Sequence, residues 1–366
     1  MINRRDFIQK VALASGAMML SDKTLAFVEE GKKLGIALVG LGNYATNQLA
    51  PALLQTNFCK LTGIVTGSPE KAESWSKQYN IPQKNIYNYQ NFDEIRNNPD
   101  IDIVYVVLPN SMHAEFTIRA AKAGKHVICE KPMAMNVQEC KDMIAACNAA
   151  KVQLSVGYRL YFEPHHLEMK RLGTEKVYGD VKMIESSLGF SMANPKVWRL
   201  NKALGGGGAI MDLGVYCIQG ARRTLGELPT AVSAQGFIID KTIFKDIYEG
   251  MTFQMDFPSG AISNSTTTYS SYVDRLHATT GWRWFSLSPS YNAIGTAGQF
   301  FDGERKEMNF KILDYQQIKQ MDAFAESIIN KQKPEASGEE GMIDLKIIEA
   351  IKQSADNGRK VKIDWI

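Results

Sequence analysis

Between Lys33 and Val156, short apolar runs alternate with longer segments in which apolar residues recur at helical spacing. This alternation is typical of a parallel β-sheet whose strands are connected by helices. The runs are almost continuously apolar, as expected for strands buried on both faces. The predicted strands are Leu34–Val39, Leu61–Thr66, Ile101–Leu108, Val127–Cys129 and Gln153–Val156, and the predicted helices are Tyr44–Leu54, Pro69–Tyr79, Met112–Ala123 and Val137–Ala149. We therefore predict a doubly wound α/β domain over residues 31–156, with its ligand beyond the carboxyl ends of the strands.

After Gly157 the pattern changes to shorter segments that are β-branched, aromatic or alternating. Such segments, two of them joined by the turn Pro258-Ser259-Gly260, indicate a largely antiparallel sheet. The predicted strands include Val181–Ser187, Met251–Phe257 and Ala261–Thr268, and the closing helices are Tyr315–Asn330 and Gly341–Ala355. We predict an α+β domain over residues 157–366, with helices on one face of an open sheet.

The first thirty residues resemble an export signal. Arg4-Arg5-Asp6-Phe7 precedes an apolar stretch of roughly ten residues, too short to span a bilayer. The paired arginines predict twin-arginine export to the periplasm, with cleavage near Ala26 and no membrane anchor. The alternative is a basic amphipathic first helix.

Composition narrows the choice of partners and sites. The chain has 366 residues and a formal net charge of +3, without a block of Lys and Arg, which argues against nucleic acid. Five cysteines lack a C-x-x-C pair and are interpreted as buried reduced thiols. Adjacent His165 and His166 have no carboxylate at a suitable spacing, so no metal site is predicted.

A glycine turn follows the first predicted strand. Gly40 permits a tight turn, Gly42 lets a pyrophosphate approach the backbone, and Ala45 allows close helix packing. The helix N-terminus, beginning near Asn43 and Tyr44, faces the anion. The first domain is therefore predicted to be a Rossmann domain that binds a dinucleotide.

The second predicted strand lacks the Asp or Glu that usually holds the adenosine ribose of NAD. Thr66 and Ser68 offer hydroxyl groups there, and Lys71 offers a positive charge that suits a 2′-phosphate. We therefore predict NADP rather than NAD. Alternatively, Ser68 simply caps the helix that begins at Pro69, and both interpretations can hold together.

A third candidate segment ends the long apolar run of residues 101–108. Pro109 and Asn110, between Leu108 and His113, are predicted to line the nicotinamide ribose. Alternatively, Asn110 only caps the helix that follows.

The catalytic candidates come from two distant segments. Lys131, between Glu130 and Pro132 at a strand end, can polarise a substrate oxygen; beside oxidised nicotinamide, like charge and desolvation are expected to disfavour its ammonium form. Asp212 and Tyr216 follow the glycine run Gly205–Gly208 and share a helix face, so Tyr216 is a candidate general acid/base. Alternatively, Lys131 is a surface lysine at a strand end, Asp212 caps the helix locally and Tyr216 packs in the core.

In combination these segments resemble the Gfo/Idh/MocA oxidoreductases, specifically their glucose–fructose oxidoreductase branch. The resemblance rests on GLGNYA, LPNSMHAEF, CEKPMA, GYRLYF, WRLNKALGGGGAIMDLGVY and SGEEGMIDLKIIEAI, and runs from about Gly35 to Trp365. It implies tightly held NADP(H), a sugar substrate and a homo-oligomer, dimer or tetramer, formed through the open sheet. It also implies that Lys131, Asp212 and Tyr216 are catalytic, and that Arg159, Trp198, Arg199 and Tyr291 approach cofactor or substrate.

Two departures from that branch limit the comparison. Few residues separate the predicted export signal from the first predicted strand, so the long N-terminal arm of that branch is not expected here. The Trp- and Ser-rich segment His277–Tyr291, which is expected to border the sugar pocket, also differs. The leading hypothesis is a periplasmic NADP-dependent sugar oxidoreductase. The alternatives are a glycosidase acting through transient oxidation by NAD, and a non-catalytic sugar-binding protein on a Rossmann frame.

Overall fold

In the computed structural model, which describes residues 33–192 and 194–365, a six-stranded parallel sheet organises the first part of the chain. Its strands are β1 (Leu34–Val39), β2 (Cys59–Val65), β3 (Ile86–Tyr87), β4 (Ile103–Val106), β5 (His126–Cys129) and β6 (Leu154–Val156). The order β3-β2-β1-β4-β5-β6 changes direction between β1 and β4. A ligand crevice is expected outside the carboxyl ends of these two strands.

Helices connect the parallel strands, as the sequence predicts. They are α1 (a π-type turn, Ala45–Leu49, followed by Ala50–Leu53), α2 (Pro69–Tyr79), α3 (His113–Lys122) and α4 (Val137–Ala150). Asn136 caps α4 by accepting a hydrogen bond from the Glu139 N–H at 2.9 Å. The predicted Rossmann fold is thereby confirmed.

Nine strands form the second sheet, whose pairs are antiparallel except for the central parallel pair β7–β10. They are β7 (Met183–Gly189), β8 (Ala231–Phe237), β9 (Gly250–Asp256), β10 (Ile262–Thr268), β11 (Val273–Thr279), β12 (Trp284–Leu287), β13 (Gly298–Phe301), β14 (Arg305–Met308) and β15 (Val361–Lys362). The sheet is therefore mixed at its centre. The sequence predicted it as largely antiparallel, because periodicity does not reveal which neighbour a strand pairs with.

The longer helices after β6 are α5 (Pro164–Thr174), α6 (a π-type turn, Ile210–Gly214, continuing as Val215–Leu225), α7 (Gln317–Ile329) and α8 (Gly338–Asn357), and a single helical turn is present at Lys202–Gly205. Helices α6 and α8 pack on one face of the nine-stranded sheet. Its opposite face is open and polar, with Glu185, Thr252, Asn264 and Arg275 among its side chains. The predicted arrangement of helices on one face is therefore present.

Helix α7 belongs to the predicted second domain by sequence, but it packs against the first domain. Its residues Met321, Phe324 and Ala325 are buried in one hydrophobic cluster with Ile36 and Leu38 of β1. The two domains therefore share a core contact that local sequence patterns do not reveal, and the division at 156 stays a prediction.

Two further expectations concern cysteines and membranes. All five cysteines are buried, as interpreted from the sequence. Within the described residues, none of the helices combines the length and apolar character that crossing a bilayer requires. The predicted export signal lies outside those residues.

Candidate active site

The glycine turn between β1 and α1 forms an open cradle. Gly40 has φ +94°, and a Cβ there would lie 2.6 Å from the Val107 carbonyl oxygen and 2.8 Å from Leu108. Only glycine fits this close approach of the first and fourth strands. A Cβ at Gly42 would instead project into open space, beside exposed Asn43. The bare backbone at the helix entrance therefore fits a dinucleotide pyrophosphate.

The loop after β2 lies beside this cradle. The Lys71 ammonium donates to the Leu41 carbonyl oxygen at 2.9 Å, so Lys71 ties the two loops together. Ser68 caps α2 by accepting from the Lys71 N–H at 3.3 Å, and its own hydroxyl donates to exposed Glu70 at 2.6 Å. Thr66 is buried and accepts from the Ser68 N–H at 3.2 Å. The cap interpretation of Ser68 is confirmed, and the 2′-phosphate interpretation stays a prediction.

Residues after β4 hold the crevice wall instead of projecting freely into it. The imidazole of His113 is buried between two carbonyl oxygens, Pro132 O at 2.9 Å and Leu108 O at 2.8 Å. The Asn110 amide donates to the Gly205 carbonyl oxygen at 2.9 Å, which anchors the glycine run. Both side chains therefore position neighbouring backbone. Direct contact of Leu108, Pro109, Asn110 or His113 with a cofactor stays a prediction.

Two polar residues predicted to contact the cofactor also belong to buried hydrogen bonds. Glu130 is buried and accepts from the Tyr105 hydroxyl at 2.7 Å, and burial raises the pKa of Glu130. Tyr44 accepts from the Gln317 amide at 3.0 Å, which connects α1 to α7. These bonds hold Glu130 and Tyr44 in place, and the cofactor contacts of both residues stay predictions.

The catalytic candidates meet at the other end of the crevice. The Lys131 ammonium donates to Asp212 Oδ1 at 2.9 Å and to the Asp212 carbonyl oxygen at 2.8 Å. It also lies 4.7 Å from the ring centroid of Tyr216. The side chains of Lys131 and Asp212 are each 13% exposed, so the pair is mostly shielded from water. Lys131 thus forms one cluster with Asp212 and Tyr216, which follow it by 81 and 85 positions in the sequence, as predicted.

The second carboxylate oxygen of Asp212 has two further partners. Arg199 Nε lies 3.1 Å from Oδ2, and the buried Tyr269 hydroxyl donates to Oδ2 at 3.0 Å. Burial opposes ionisation of Asp212, but Lys131 and Arg199 outweigh it and hold the pKa of Asp212 well below its usual range. Burial raises the pKa of Tyr269, and the adjacent Asp212 charge adds to this, so Tyr269 remains a hydrogen-bond donor.

The charge state of Lys131 differs from the sequence-based expectation. Burial alone would lower the pKa of Lys131, but the Asp212 charge, with Tyr216, outweighs burial and raises it. The expectation considered only the cofactor and desolvation, and omitted the carboxylate that the fold brings to Lys131. Lys131 is therefore held as an ammonium by the protein itself.

A second cation faces Tyr216. The Arg159 guanidinium lies 5.2 Å from the Tyr216 ring centroid, and it donates to the Tyr291 carbonyl oxygen and the Gln316 side chain. Two cations, Lys131 and Arg159, therefore lie against the ring of Tyr216. Tyr216 itself is only half-buried, which leaves it accessible from the crevice.

Trp198, Arg199 and Tyr291, which the resemblance implies near cofactor or substrate, lie at different distances from the catalytic cluster. Arg199 contacts Asp212 directly, and its guanidinium lies 4.6 Å from the ring centroid of the half-buried Trp198. Tyr291 is 2% exposed, and its hydroxyl hydrogen-bonds to Ser186 at 2.6 Å. Its ring lies 6.0 Å from that of Tyr216. Tyr291 thus supports Tyr216 from the interior, and its approach to a ligand stays a prediction.

With this geometry established, comparisons with known proteins place the chain. Residues 34–158 match the family model described as an oxidoreductase family with an NAD-binding Rossmann fold, residues 166–301 match the GFO/IDH/MocA C-terminal domain, and residues 302–363 match the family's C-terminal alpha/beta domain. The chain belongs to the Gfo/Idh/MocA oxidoreductase family.

Solved structures and characterised members of the Gfo/Idh/MocA family resemble the chain over most of its length. An aldose–aldose oxidoreductase from Caulobacter crescentus, complexed with glycerol, is 40% identical, with a TM-score of 0.88 over 90% of this chain and all of that one. A D-xylose 1-dehydrogenase [NADP(+)] of Haloarcula marismortui is 26% identical over 335 residues, which are 90% of this chain and 92% of that protein. A levoglucosan dehydrogenase in complex with NADH and levoglucosan, 21% identical, covers 91% of this chain at a TM-score of 0.78 and shows the same fold.

Much of the segment His277–Tyr291 lies in the nine-stranded sheet, and its proximity to a sugar stays a prediction. Within His277–Tyr291, strands β11 and β12 form part of the nine-stranded sheet, and Trp282 is 64% exposed beside Phe301. Of this segment, Tyr291 reaches the catalytic cluster. The aromatic residues of the segment are also typical of strands in an open sheet.

Sequence reasoning missed Tyr269 and Tyr105. Tyr269 follows β10 directly, 57 residues after Asp212, and nothing in its local pattern distinguishes it from other strand-end aromatics. Tyr105 lies within the apolar β4, where a tyrosine is ordinarily interpreted as core. For metals the described residues contain no cluster of three or more His, Cys, Asp or Glu side chains suited to an ion.

Proposed function

We propose that the protein is a sugar oxidoreductase that transfers hydride between the hydroxyl-bearing carbon of a pyranose or ketose sugar and a retained NADP(H). The observation that carries this proposal is the cluster in which Lys131 meets Asp212 at 2.9 Å and lies 4.7 Å from the ring centroid of Tyr216. A non-catalytic binding protein would not require a mostly buried ammonium paired in this way, because burying charges is costly.

Each residue of the cluster has a distinct role in this proposal. Lys131, held as an ammonium, donates a hydrogen bond to the reacting sugar oxygen and stabilises its negative charge. Tyr216 exchanges the hydroxyl proton: its phenolate takes the proton during oxidation and becomes the phenol, and the phenol returns a proton to the sugar oxygen during reduction. Asp212 keeps Lys131 charged and in position. When bound, the nicotinamide supplies the hydride acceptor or donor.

The cofactor preference rests on the loop after β2. Lys71 uses one ammonium donor on the Leu41 carbonyl oxygen, so two further N–H donors remain for a 2′-phosphate. Glu70, in the first turn of α2, would repel a 2′-phosphate. Its carboxylate, however, accepts a hydrogen bond from the Ser68 hydroxyl. NADP is proposed on this balance, and the NADP specificity named for the xylose dehydrogenase relative supports it.

A retained cofactor implies alternating half-reactions. One sugar reduces the bound dinucleotide and leaves, and a second sugar reoxidises it, which gives ping-pong kinetics. The name of the aldose–aldose oxidoreductase relative supports this scheme. Export through the twin-arginine signal would place the reaction in the periplasm, where a self-contained redox cycle needs no soluble NADPH. Pairing of open polar sheet faces between copies is proposed as the route to a homo-oligomer.

The absorbance spectrum of the purified protein tests this proposal. Extraction and identification of the dinucleotide decide between NADP and NAD, and successive additions of aldoses and ketoses should raise and then bleach the reduced-nicotinamide band. The proposal fails if no dinucleotide is bound or taken up, or if no sugar changes the spectrum. Cleavage of aryl glycosides without net redox change would indicate instead a glycosidase that uses transient oxidation.

A further inference from the structure

A second cavity adjoins the glycine run. It measures about 350 Å³ and is lined by Gly206 and Gly207 together with side chains from three other segments. Lys202 precedes the glycine run, Lys245 lies between β8 and β9, and Lys352 is on α8. Three ammonium groups from distant parts of the sequence therefore converge on one cavity, which we call the lysine cavity.

Lys352 is the most constrained of the three. Its half-buried ammonium donates to the Gly206 carbonyl oxygen at 3.0 Å, and within the part of the chain that the structure describes it forms no ion pair. Burial lowers the pKa of Lys352, and the like charge of Lys202 adds to this effect. Two of its three N–H donors remain for another partner. The nearby Asp356 and Glu349 carboxylates partly offset this lowering of the pKa, but neither is in ion-pair contact with Lys352.

The rest of the lining suits a polyol. Ile247 and Met251 are buried and supply an apolar surface for the C–H face of a sugar ring. Asp246 and Asp356 are exposed carboxylates that accept hydrogen bonds from hydroxyl groups, and Asp356 already accepts one from Tyr248 at 3.0 Å. The three lysines outnumber these two carboxylates, so the cavity has a net positive charge.

Glycine at 207 is required for this arrangement. Its φ is +151°, and a Cβ there would lie 3.3 Å from the Lys352 ammonium nitrogen, where it would crowd the charged group. The same run connects the cavity to the catalytic cluster, because the Gly208 carbonyl oxygen accepts the Asp212 N–H at 3.3 Å. The cavity is therefore next to the catalytic cluster but uses none of its side chains.

We propose that the lysine cavity binds an oxyanion carried by a sugar, either the carboxylate of a sugar acid or the phosphate of a sugar phosphate. The oxyanion takes the free donors of Lys352 and Lys245, the ring packs on Ile247 and Met251, and the hydroxyls donate to the carboxylates at the rim. A volume of about 350 Å³ is at the low end of small-ligand pockets and exceeds the need of a bare phosphate.

Isothermal titration calorimetry on the purified full-length protein tests this site, and the lysine variants separate binding here from sugar binding or oxidation at the catalytic cluster, whose side chains they leave unchanged. The probes are gluconate, glucose 6-phosphate, glucose and inorganic phosphate. We expect gluconate or glucose 6-phosphate to bind. Binding of either one supports the proposal, and which of them binds shows whether the oxyanion is a carboxylate or a phosphate. Lys352→Met and Lys245→Met should each weaken that binding about tenfold or more, the usual effect of losing a charged hydrogen bond.

The variants are chosen so that a folding defect cannot imitate the result. Lys245 is exposed, so its replacement leaves the Gly206 contact of Lys352 intact, and Lys141→Met on α4 is the matched exposed control that should bind as the native protein does. Thermal denaturation of each variant verifies its fold. The proposal is overturned if neither anionic sugar binds, if affinity is unchanged in both lysine variants, or if inorganic phosphate alone binds equally well.

Discussion

At the catalytic end of the crevice the charged groups are mostly buried and paired, whereas at the end formed by Ser68 and Lys71 they are partly or fully exposed and make few contacts. The single carboxylate of Asp212 contacts Lys131, Arg199 and Tyr269. Buried charge pairs are rigid and costly to break, while exposed ones contribute little and are easily exchanged. We therefore expect chemistry to depend on the first end and cofactor choice on the second.

The largest effect is expected from Tyr216→Phe, which removes the proposed general acid/base. Loss of such a group should lower kcat by about 100-fold to 10,000-fold, while the amount of bound dinucleotide stays unchanged. Steady-state kinetics and the absorbance spectrum measure the two quantities. Tyr291→Phe is the control, because it loses only a buried hydroxyl bond to Ser186 and should retain most activity. Equal losses in both variants would contradict the assignment.

Asp212→Asn should lower kcat by about 100-fold and also change its pH dependence, because it removes a buried pair partner. In the native protein the raised pKa of Lys131 keeps the ammonium through the neutral and mildly alkaline range, and it is lost only above the ordinary lysine value of about 10.4. Without Asp212, burial and Arg199 lower that pKa, and Tyr216 is the remaining group that opposes them. The alkaline limb of the pH–rate profile should therefore move to lower pH, and an unchanged limb would show that Asp212 does not set the charge of Lys131.

The same pair gives stability a defined pH range. The lowered pKa of Asp212 means that its stabilising contribution is present above the ordinary Asp value of about 3.9 and is lost as pH falls through the lower folded value. The raised pKa of Lys131 means that its contribution is lost only as pH rises above about 10.4. The Tm difference between native protein and Lys131→Met should accordingly stay constant from about pH 5 to about pH 9. A difference that varies within this range would contradict the charge states proposed here.

A smaller effect is expected from Tyr269→Phe, which removes one donor to Asp212 and leaves Lys131 and Arg199 in place. The loss should be about tenfold in kcat, with KM nearly unchanged, because a hydrogen bond to a charged group is removed without loss of contact area. The exposed Tyr272→Phe is the matched control and should have no effect. Should Tyr269→Phe change thermal stability alone, Tyr269 would be a core residue without influence on catalysis.

The smallest effect is expected at the exposed end. Lys71→Met should weaken NADPH binding about threefold to tenfold and leave NADH binding unchanged, since an exposed charge pair contributes about 1 kcal/mol or less. Lys77→Met, on the same helix and paired with Glu73, is the control. Fluorescence titration with both dinucleotides measures the ratio, and an equal loss for NADH would remove the basis for NADP preference.

The same contrast explains what the sequence could predict. The strands β1 and β5 and the helix α2 were predicted to within a residue, because buried parallel strands are continuously apolar and Ser68-Pro69 is a strong helix start. Strands β12, β13 and β14 were not predicted as strands, because an open polar sheet face removes the apolar alternation. The packing of α7 against β1 was also not predicted, since a local sequence pattern carries no information about contacts between distant residues.

Within the site, the candidate catalytic residues were predictable, whereas most of the contacts that position them were not. Lys131, Asp212 and Tyr216 occur in recognisable segments, and the structure brings them together. The carboxylate that raises the pKa of Lys131, and the donor from Tyr269, depend on contacts between positions 57 or more residues apart. Asn110 and His113 were predicted at the crevice, but their bonds to backbone carbonyls follow only from the folded loops.

The central claim is that Lys131 and Tyr216 act on one sugar at one nicotinamide, and single-turnover absorbance of Lys131→Met tests it most directly. The account predicts that this variant retains its dinucleotide, while the rate at which an added aldose raises the reduced-nicotinamide band falls by about 100-fold or more, as for loss of an electrostatic stabiliser. Formation of that band at the native rate, with full dinucleotide content, would contradict the account.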